Sequence, residues 1–253
     1  TMELTQEQVA HYRAHGYVIV TEFLSVTEIA AYRNEAERLT NHCYEQGDVV
    51  VDWGCIIEPF GCGILDADEI TNQTKSTRNG YINARAQISS ETIAQCTLKK
   101  FGHCAKQLLS TDGDQHTYLL NEQYIVKPPR SNAEFAWHQD ILYFSTEQQT
   151  HSILSIWTPL DNVSEANGTV LIDPFPDSSS PAIYPSLSPS GTRKPVVATM
   201  SAGSALFMDG RVRHCSTGNA SSSFRTAYMP QFSLGAITTP NNSYVALAVP
   251  LED

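Results

Sequence analysis

The sequence predicts a mostly β protein with flanking helices, in which a double-stranded β-helix (jelly roll, cupin-like) core is buttressed by N-terminal helices. Three observations carry this expectation. Two helix starts with capping-box chemistry lie near the N-terminus, a succession of short β-rich runs follows Asp112-Gly113, and turn residues separate those runs.

The first helix is expected from Thr5-Gln6-Glu7-Gln8, where a hydroxyl and an amide three residues apart can satisfy each other's orphan backbone N–H groups, and Gly16 stops it. Tyr17-Val18-Ile19-Val20 reads as a short apolar strand. Ser25-Val26-Thr27-Glu28 opens a second helix, with Ile29, Tyr32, Ala36 and Leu39 at helical spacing. From Val49 to Asn79 the pattern is irregular, broken by Gly54, Pro59, Gly61 and Gly63, and a long loop near a pocket mouth is expected. A further helix is expected from about Ser90 to Leu109, because Ile93, Leu98, Phe101, Ala105 and Leu108 recur on one side.

The predicted strands are Tyr118 to Lys127, Phe135 to Gln139, Ile153 to Trp157, Thr169 to Asp173, Val196 to Met200, Ala205 to Met208 and Phe224 to Phe232. Asn167-Gly168 and Asp209-Gly210 supply turns, and the Ser- and Pro-rich stretch from Pro174 to Pro195 reads as a surface loop.

At 253 residues, with 41% hydrophobic and 17% charged residues, the chain has the means to bury a core and is read as a single domain spanning 1–253. The formal charge is −11, from 27 acidic against 16 basic residues, and no basic run could track a phosphate backbone, so nucleic acid is not an expected partner. The same deficit argues against a polyanionic substrate such as a coenzyme A thioester. No stretch approaches the ~20 apolar residues of a membrane span, and the start lacks the layout of a signal peptide. A cytoplasmic protein acting on a small-molecule substrate is expected. A homodimer is compatible with the sequence, and Thr1 ahead of Met2 leaves a longer natural N-terminus open. The six cysteines are scattered, with no C-x-x-C pair, and are read as free thiols.

The chemistry is expected at His138-Gln139-Asp140, where strand alternation would send the imidazole and the carboxylate to one face. His214 follows the run Ala205 to Met208 and offers a second imidazole. Two imidazoles and one carboxylate on one face of an octahedron leave three positions open, as non-haem Fe(II) oxygenases require for a bidentate 2-oxo acid and O2. Arg225, on the next predicted strand, presents a planar fork matched to a carboxylate. Ser216, two positions after His214, would face the same side and could donate a hydroxyl hydrogen bond to that carboxylate. Cys215, between them, would point the other way. Trp53, Tyr81 and Tyr143 are candidates for the substrate side, with core packing as their alternative role.

Several ordered blocks resemble the phytanoyl-CoA dioxygenase family of Fe(II)/2-oxoglutarate oxygenases. They are Lys127-Pro128-Pro129, Trp137-His138-Gln139-Asp140 with Tyr143-Phe144, Trp157-Thr158-Pro159-Leu160-Asp161, Glu165-Ala166-Asn167-Gly168, Gly203-Ser204-Ala205-Leu206-Phe207, and His214-Cys215-Ser216 with Asn219 and Arg225. The resemblance covers about Gly16 to Phe232. It implies a jelly roll in which His138, Asp140 and His214 hold Fe(II), while Arg225 and Ser216 clamp the far carboxylate of 2-oxoglutarate. It also implies that Trp157, Tyr124 and Arg85 lie near that cosubstrate. Where the family often has Pro-Gly-Ser-His, this chain has Asp173-Pro174-Phe175-Pro176-Asp177-Ser178, so a polar contact at the pocket rim is missing and a smaller, neutral or cationic substrate is favoured. Halogenating relatives replace the carboxylate ligand by a small residue, so Asp140 implies hydroxylation, desaturation, epoxidation or cyclisation. Two other readings stay open on the residues alone. One is a zinc hydrolase with the same three ligands, which leaves Arg225 without a role; the other is a non-catalytic jelly roll that binds a metal or ligand.

Overall fold

The computed structural model describes residues 2–47, 55–109, 116–176 and 194–252. Both N-terminal helices begin where their capping chemistry places them. In α1 (Gln6–His15) the Thr5 hydroxyl accepts from the Gln8 N–H at 3.2 Å while the Gln8 side chain accepts from the Thr5 N–H at 2.9 Å. In α2 (Val26–Glu45) Ser25 and Glu28 do the same at 3.2 and 2.7 Å. Gly16 ends α1 at φ 78°, a left-handed conformation in which its N–H closes on the Tyr12 carbonyl at 2.7 Å.

The segment expected as one long loop is largely regular structure. Trp53 and its neighbours at 48–54 lie outside the described residues, but strand β2 (Cys55–Ile57) and helices α3 (Asn72–Ser76) and α4 (Arg78–Ile88) follow. Thr71 and Thr77 cap these helices by accepting from the Thr74 and Gly80 N–H groups at 3.2 and 3.1 Å. Elements this short do not establish a hydrophobic period, which is why pattern reading passed over them. The helix expected from Ser90 to Leu109 is α5 (Glu91–Cys96) and α6 (Gly102–Leu109), joined by a π-helical turn over Thr97–Phe101.

The strands are β1 (Tyr17–Val20), β2, β3 (Thr117–Lys127), β4 (Phe135–His138), β5 (Ile153–Pro159), β6 (Val170–Asp173), β7 (Val196–Val197), β8 (Ala205–Asp209), β9 (Arg213–Ser216), β10 (Arg225–Leu234) and β11 (Val249–Pro250). They form two antiparallel sheets. The larger has the order β1-β8-β5-β10-β3-β11 with β2 pairing β3, and the smaller has the order β4-β9-β6-β7. This is the expected double-sheet core with helices against it. The turn at Asp209-Gly210 carries the chain from the larger sheet to the smaller; the Val212 N–H returns to the Asp209 carbonyl at 2.8 Å and Arg211 grips Asp209 with two 2.9 Å hydrogen bonds. Of the Ser- and Pro-rich stretch, residues 177–193 lie outside the described residues.

Alternation along the larger sheet divides the interior in two. Tyr124, Phe207 and Tyr228 face the helices, where they join Tyr32, Leu39 and Phe101 in one core. Ile125, Leu206, Met208, Ala227 and Met229 face the smaller sheet and pack with Val170, Ile172 and Val212 in another. The second layer leaves a cavity of about 410 Å³ open between the sheets. Among the described residues, no helix is long and apolar enough to cross a membrane. Cys62, Cys96, Cys104 and Cys215 are free thiols, while the Cys55 side chain is not among the described groups.

Candidate metal centre

The cavity is walled at one end by His138, Asp140 and His214. The two histidines are direct partners across β4 and β9, and the pairing between Phe135↔Ser216 and His138↔His214 takes three steps on β4 for two on β9. The extra residue is a β-bulge, which re-aims side chains at a strand end. Asp140 is no longer in the strand. It opens a short 3-10 turn, Asp140–Tyr143, pinned by the Ile141 N–H to the Gly210 carbonyl at 2.9 Å. The expected convergence of His138 and Asp140 therefore arises from strand followed by turn.

The ligand atoms of His138, Asp140 and His214 all lie within 4.8 Å of one another, the one such group among the described residues. Each imidazole gives Nδ1–H to a carbonyl two residues earlier, His138 to Ala136 at 2.7 Å and His214 to Val212 at 3.2 Å. That fixes Nε2 as the lone-pair nitrogen, the form a metal needs. Nε2 of His138 and of His214 stand 3.5 and 3.6 Å from Asp140 Oδ1. The other carboxylate oxygen, Oδ2, accepts from Ser155 Oγ and, at 3.4 Å, from Gln231 Nε2. Ser155 and Gln231 were not singled out in the sequence; their inward parity on β5 and β10 was the signal available.

Electrostatics agree with a cation site. Burial disfavours the Asp140 carboxylate, but His214, His138 and Ser155 outweigh it and hold its pKa far below the usual range. Burial also opposes the His138 imidazolium, yet Asp140 raises its pKa, whereas in the more enclosed His214 burial prevails and lowers it. A buried carboxylate held ionised beside two imidazole nitrogens makes a mixed nitrogen and oxygen donor set, which suits Fe(II).

Deeper in the cavity stands Arg225, 1% exposed. Its guanidinium lies 5.6 Å from the Trp157 ring and donates from Nη1 to the Ile125 carbonyl at 3.3 Å, while its buried Nε has no partner among the described residues. Burial lowers its pKa to about 10. Ser216 also lines the cavity. A guanidinium with an unpartnered Nε–H, a hydroxyl and an indole at one end and three metal donors at the other fit a ligand that chelates metal through one end and ends in a carboxylate.

Two expectations are corrected. Tyr124 and Arg85 are not at this cavity, because both belong to the layer between the larger sheet and the helices. Tyr124 has the opposite strand parity to Ile125, and its hydroxyl donates to Glu35 at 2.7 Å. Arg85, on α4, is fully buried and pairs with Glu35 at 2.6 Å and Glu122 at 2.7 Å. These partners consume the guanidinium. Tyr81 is buried in the same layer, whereas Tyr143 lines the cavity at its exposed side. Where the polar rim residues of the resemblance are missing, Phe175 packs on Gly16 and Asp173 pairs with Arg213. Cys215 also reaches the cavity wall, with burial raising its pKa to about 11.

The family model described as phytanoyl-CoA dioxygenase matches residues 12–227. A phytanoyl-CoA dioxygenase of Arabidopsis thaliana is 24% identical, covering 90% of this chain and 88% of its own. The peroxisomal enzyme of Bos taurus is also 24% identical over 68% of this chain, which spans about half (47%) of that protein. Among solved structures, the non-heme alpha-ketoglutarate-dependent carbocyclase SnoK of nogalamycin biosynthesis superposes with TM-score 0.67 at 18% identity, covering 99% of this chain and 94% of its own. EvdO2 of Micromonospora carbonacea var. aurantiaca, complexed with 2-oxoglutarate, superposes with TM-score 0.59 at 17% identity over 95% of both chains. At these identities the structural likeness speaks for the fold.

Proposed function

The chain belongs to the phytanoyl-CoA dioxygenase family, and on that premise we propose that it is an Fe(II)/2-oxoglutarate-dependent oxygenase of a small metabolite. His138, Asp140 and His214 hold the iron in this reading, and Arg225, Ser216 and Trp157 receive 2-oxoglutarate. The observation that carries it is the pairing, in one cavity, of the three metal donors with a buried guanidinium that has a free donor. A zinc hydrolase has no use for that guanidinium.

Iron with 2-oxoglutarate and O2 supplies an oxidant for hydrogen abstraction, with succinate and CO2 released. The residues of the chain do the positioning. The Ala136 and Val212 carbonyls hold both imidazoles in the ligating tautomer, and Ser155 and Gln231 turn Asp140 Oδ1 toward them. Arg225 orients the cosubstrate through its far carboxylate, and the apolar wall of Trp157, Val170, Met208 and Met229 keeps water from the reacting end.

The substrate side of the cavity offers Ile56, Leu120, Tyr143 and Phe144 with the amides of Asn121 and Gln123. Among the described lining residues Arg225 is the sole Lys or Arg, and Glu58 is the one carboxylate besides Asp140. That wall offers nothing for the phosphates of a coenzyme A thioester and suits a neutral or cationic natural product or amino-acid-like molecule. Hydroxylation, desaturation, epoxidation and cyclisation all fit an intact Asp140; the nogalamycin enzymes of like fold are described as a carbocyclase and an epimerase. The reading includes a cytoplasmic enzyme acting as one catalytic domain. Aerobic incubation with Fe(II) and 2-oxoglutarate tests it: slow release of succinate without added substrate is expected, and its absence from folded, iron-loaded protein would contradict turnover.

A further inference from the structure

Lys127, the last residue of β3, faces inward beside the clamp and has no role in the scheme above. Its parity is that of Ile125, and it is the direct cross-strand partner of Arg225 on β10. The side chain is fully buried. Nζ donates to Ser216 Oγ at 2.7 Å and to the Thr217 carbonyl, and stands 5.3 Å from the Phe135 ring. Asn219 fixes the strand end by donating to the Lys127 and Pro128 carbonyls at 3.1 and 3.0 Å.

Two features of this arrangement call for a ligand. First, no carboxylate lies within ion-pair distance of Lys127 or Arg225 among the described residues, although a buried unpaired cation is costly. Two such cations on adjacent strands are compensated together by one anionic group placed beside them. Second, a serine hydroxyl has a single proton. Since Ser216 Oγ accepts from Lys127, its own proton is left for an acceptor in the cavity.

We propose that Lys127 is a positioning residue of the cosubstrate clamp, holding Ser216 with its proton turned toward the far carboxylate of 2-oxoglutarate and adding a second cation behind Arg225. This rests on the reading of the cavity as a 2-oxoglutarate site. The groups facing Lys127 are Arg225 from β10, Glu134 and Phe135 at the start of β4, and Cys215, Ser216 and Thr217 from β9 and its end. Burial and then Arg225 lower the Lys127 pKa to about 7, opposed by Glu134 and Cys215. Its charge therefore changes near neutrality in the free protein, and an arriving carboxylate draws a proton onto it. The sign follows: 2-oxoglutarate, a dianion at these pH values, binds more weakly as pH rises through that pKa.

The test is anaerobic titration of the Fe(II)-loaded protein with 2-oxoglutarate, read both by the visible band of the chelate and by the shift in thermal midpoint. In the wild type the dissociation constant rises several-fold from about pH 7 to about pH 9. Lys127→Met raises it about tenfold at neutral pH, a loss of ~1.4 kcal/mol, and flattens the pH profile with iron affinity unchanged. Lys127→Arg recovers affinity without the pH dependence. In a Ser216→Ala background the further loss from Lys127→Met shrinks, because the two act through one contact. A Lys127→Met protein with wild-type affinity and pH profile overturns the proposal and leaves the cosubstrate assignment standing. Should that variant not fold, a flat wild-type profile overturns it equally, whereas no 2-oxoglutarate binding by the wild type removes both readings.

Discussion

His138 and His214 face each other across two antiparallel strands with ring centroids 4.2 Å apart, and each is anchored by Nδ1–H to a carbonyl two residues earlier. Both rings therefore turn Nε2 toward Asp140 Oδ1, at 3.5 and 3.6 Å, which brings two nitrogen donors and one oxygen donor together. Replacing His214 by Ala is expected to reduce bound iron from about one per chain to a small fraction and to abolish the rise in thermal midpoint on adding Fe(II). Metal analysis and a melting curve check this.

Asp140 is aimed by Ser155 and Gln231. Ser155→Ala removes the short contact to Oδ2 without touching a ligand, so iron affinity should fall about 10- to 100-fold, in keeping with other metal sites whose ligand supports are removed. Competition with a chelator of known affinity measures it.

In the proposed reading, Arg225 separates a cosubstrate site from a bare metal site. Arg225→Met is expected to weaken 2-oxoglutarate by about 2–5 kcal/mol, the range for truncating one partner of a buried charge pair, while iron stays bound. Titration of both ligands on one preparation distinguishes this from a general loss of structure.

Arg85 and Tyr124 should behave in the opposite way. Tyr124→Phe loses a hydrogen bond to the ionised Glu35, about 1.5–3 kcal/mol of stability, and Arg85→Met strands two buried carboxylates at about 3–5 kcal/mol. Burial works against the Glu35 carboxylate, but Arg85 leads the groups that lower its pKa below the unfolded value. Its contribution is therefore present above that unfolded value and is lost as pH falls through the folded one. Urea unfolding at neutral and acidic pH reads this out, and 2-oxoglutarate affinity in Tyr124→Phe should be unchanged.

His138, Asp140, His214, Ser216 and Arg225 were legible in the sequence because each combines a specific chemistry with a spacing on or beside a strand, and the cavity gathers them all. Tyr124 and Arg85 rest on the family resemblance alone, and strand parity against Ile125 turns Tyr124 the other way. Lys127, Ser155 and Gln231 share the inward parity of Ile125, Trp157 and Met229, yet a polar residue on a strand announces no partner until the opposite sheet is in place. Likewise α3 and α4 are held by threonine caps and tertiary contacts that a periodicity search does not register.

The most direct measurement is anaerobic addition of Fe(II) and then 2-oxoglutarate to the purified protein. A weak visible charge-transfer band, saturating at one equivalent of each and absent in Arg225→Met at the same concentrations, is the predicted result. Folded protein that binds iron but develops no band at any 2-oxoglutarate concentration would contradict it.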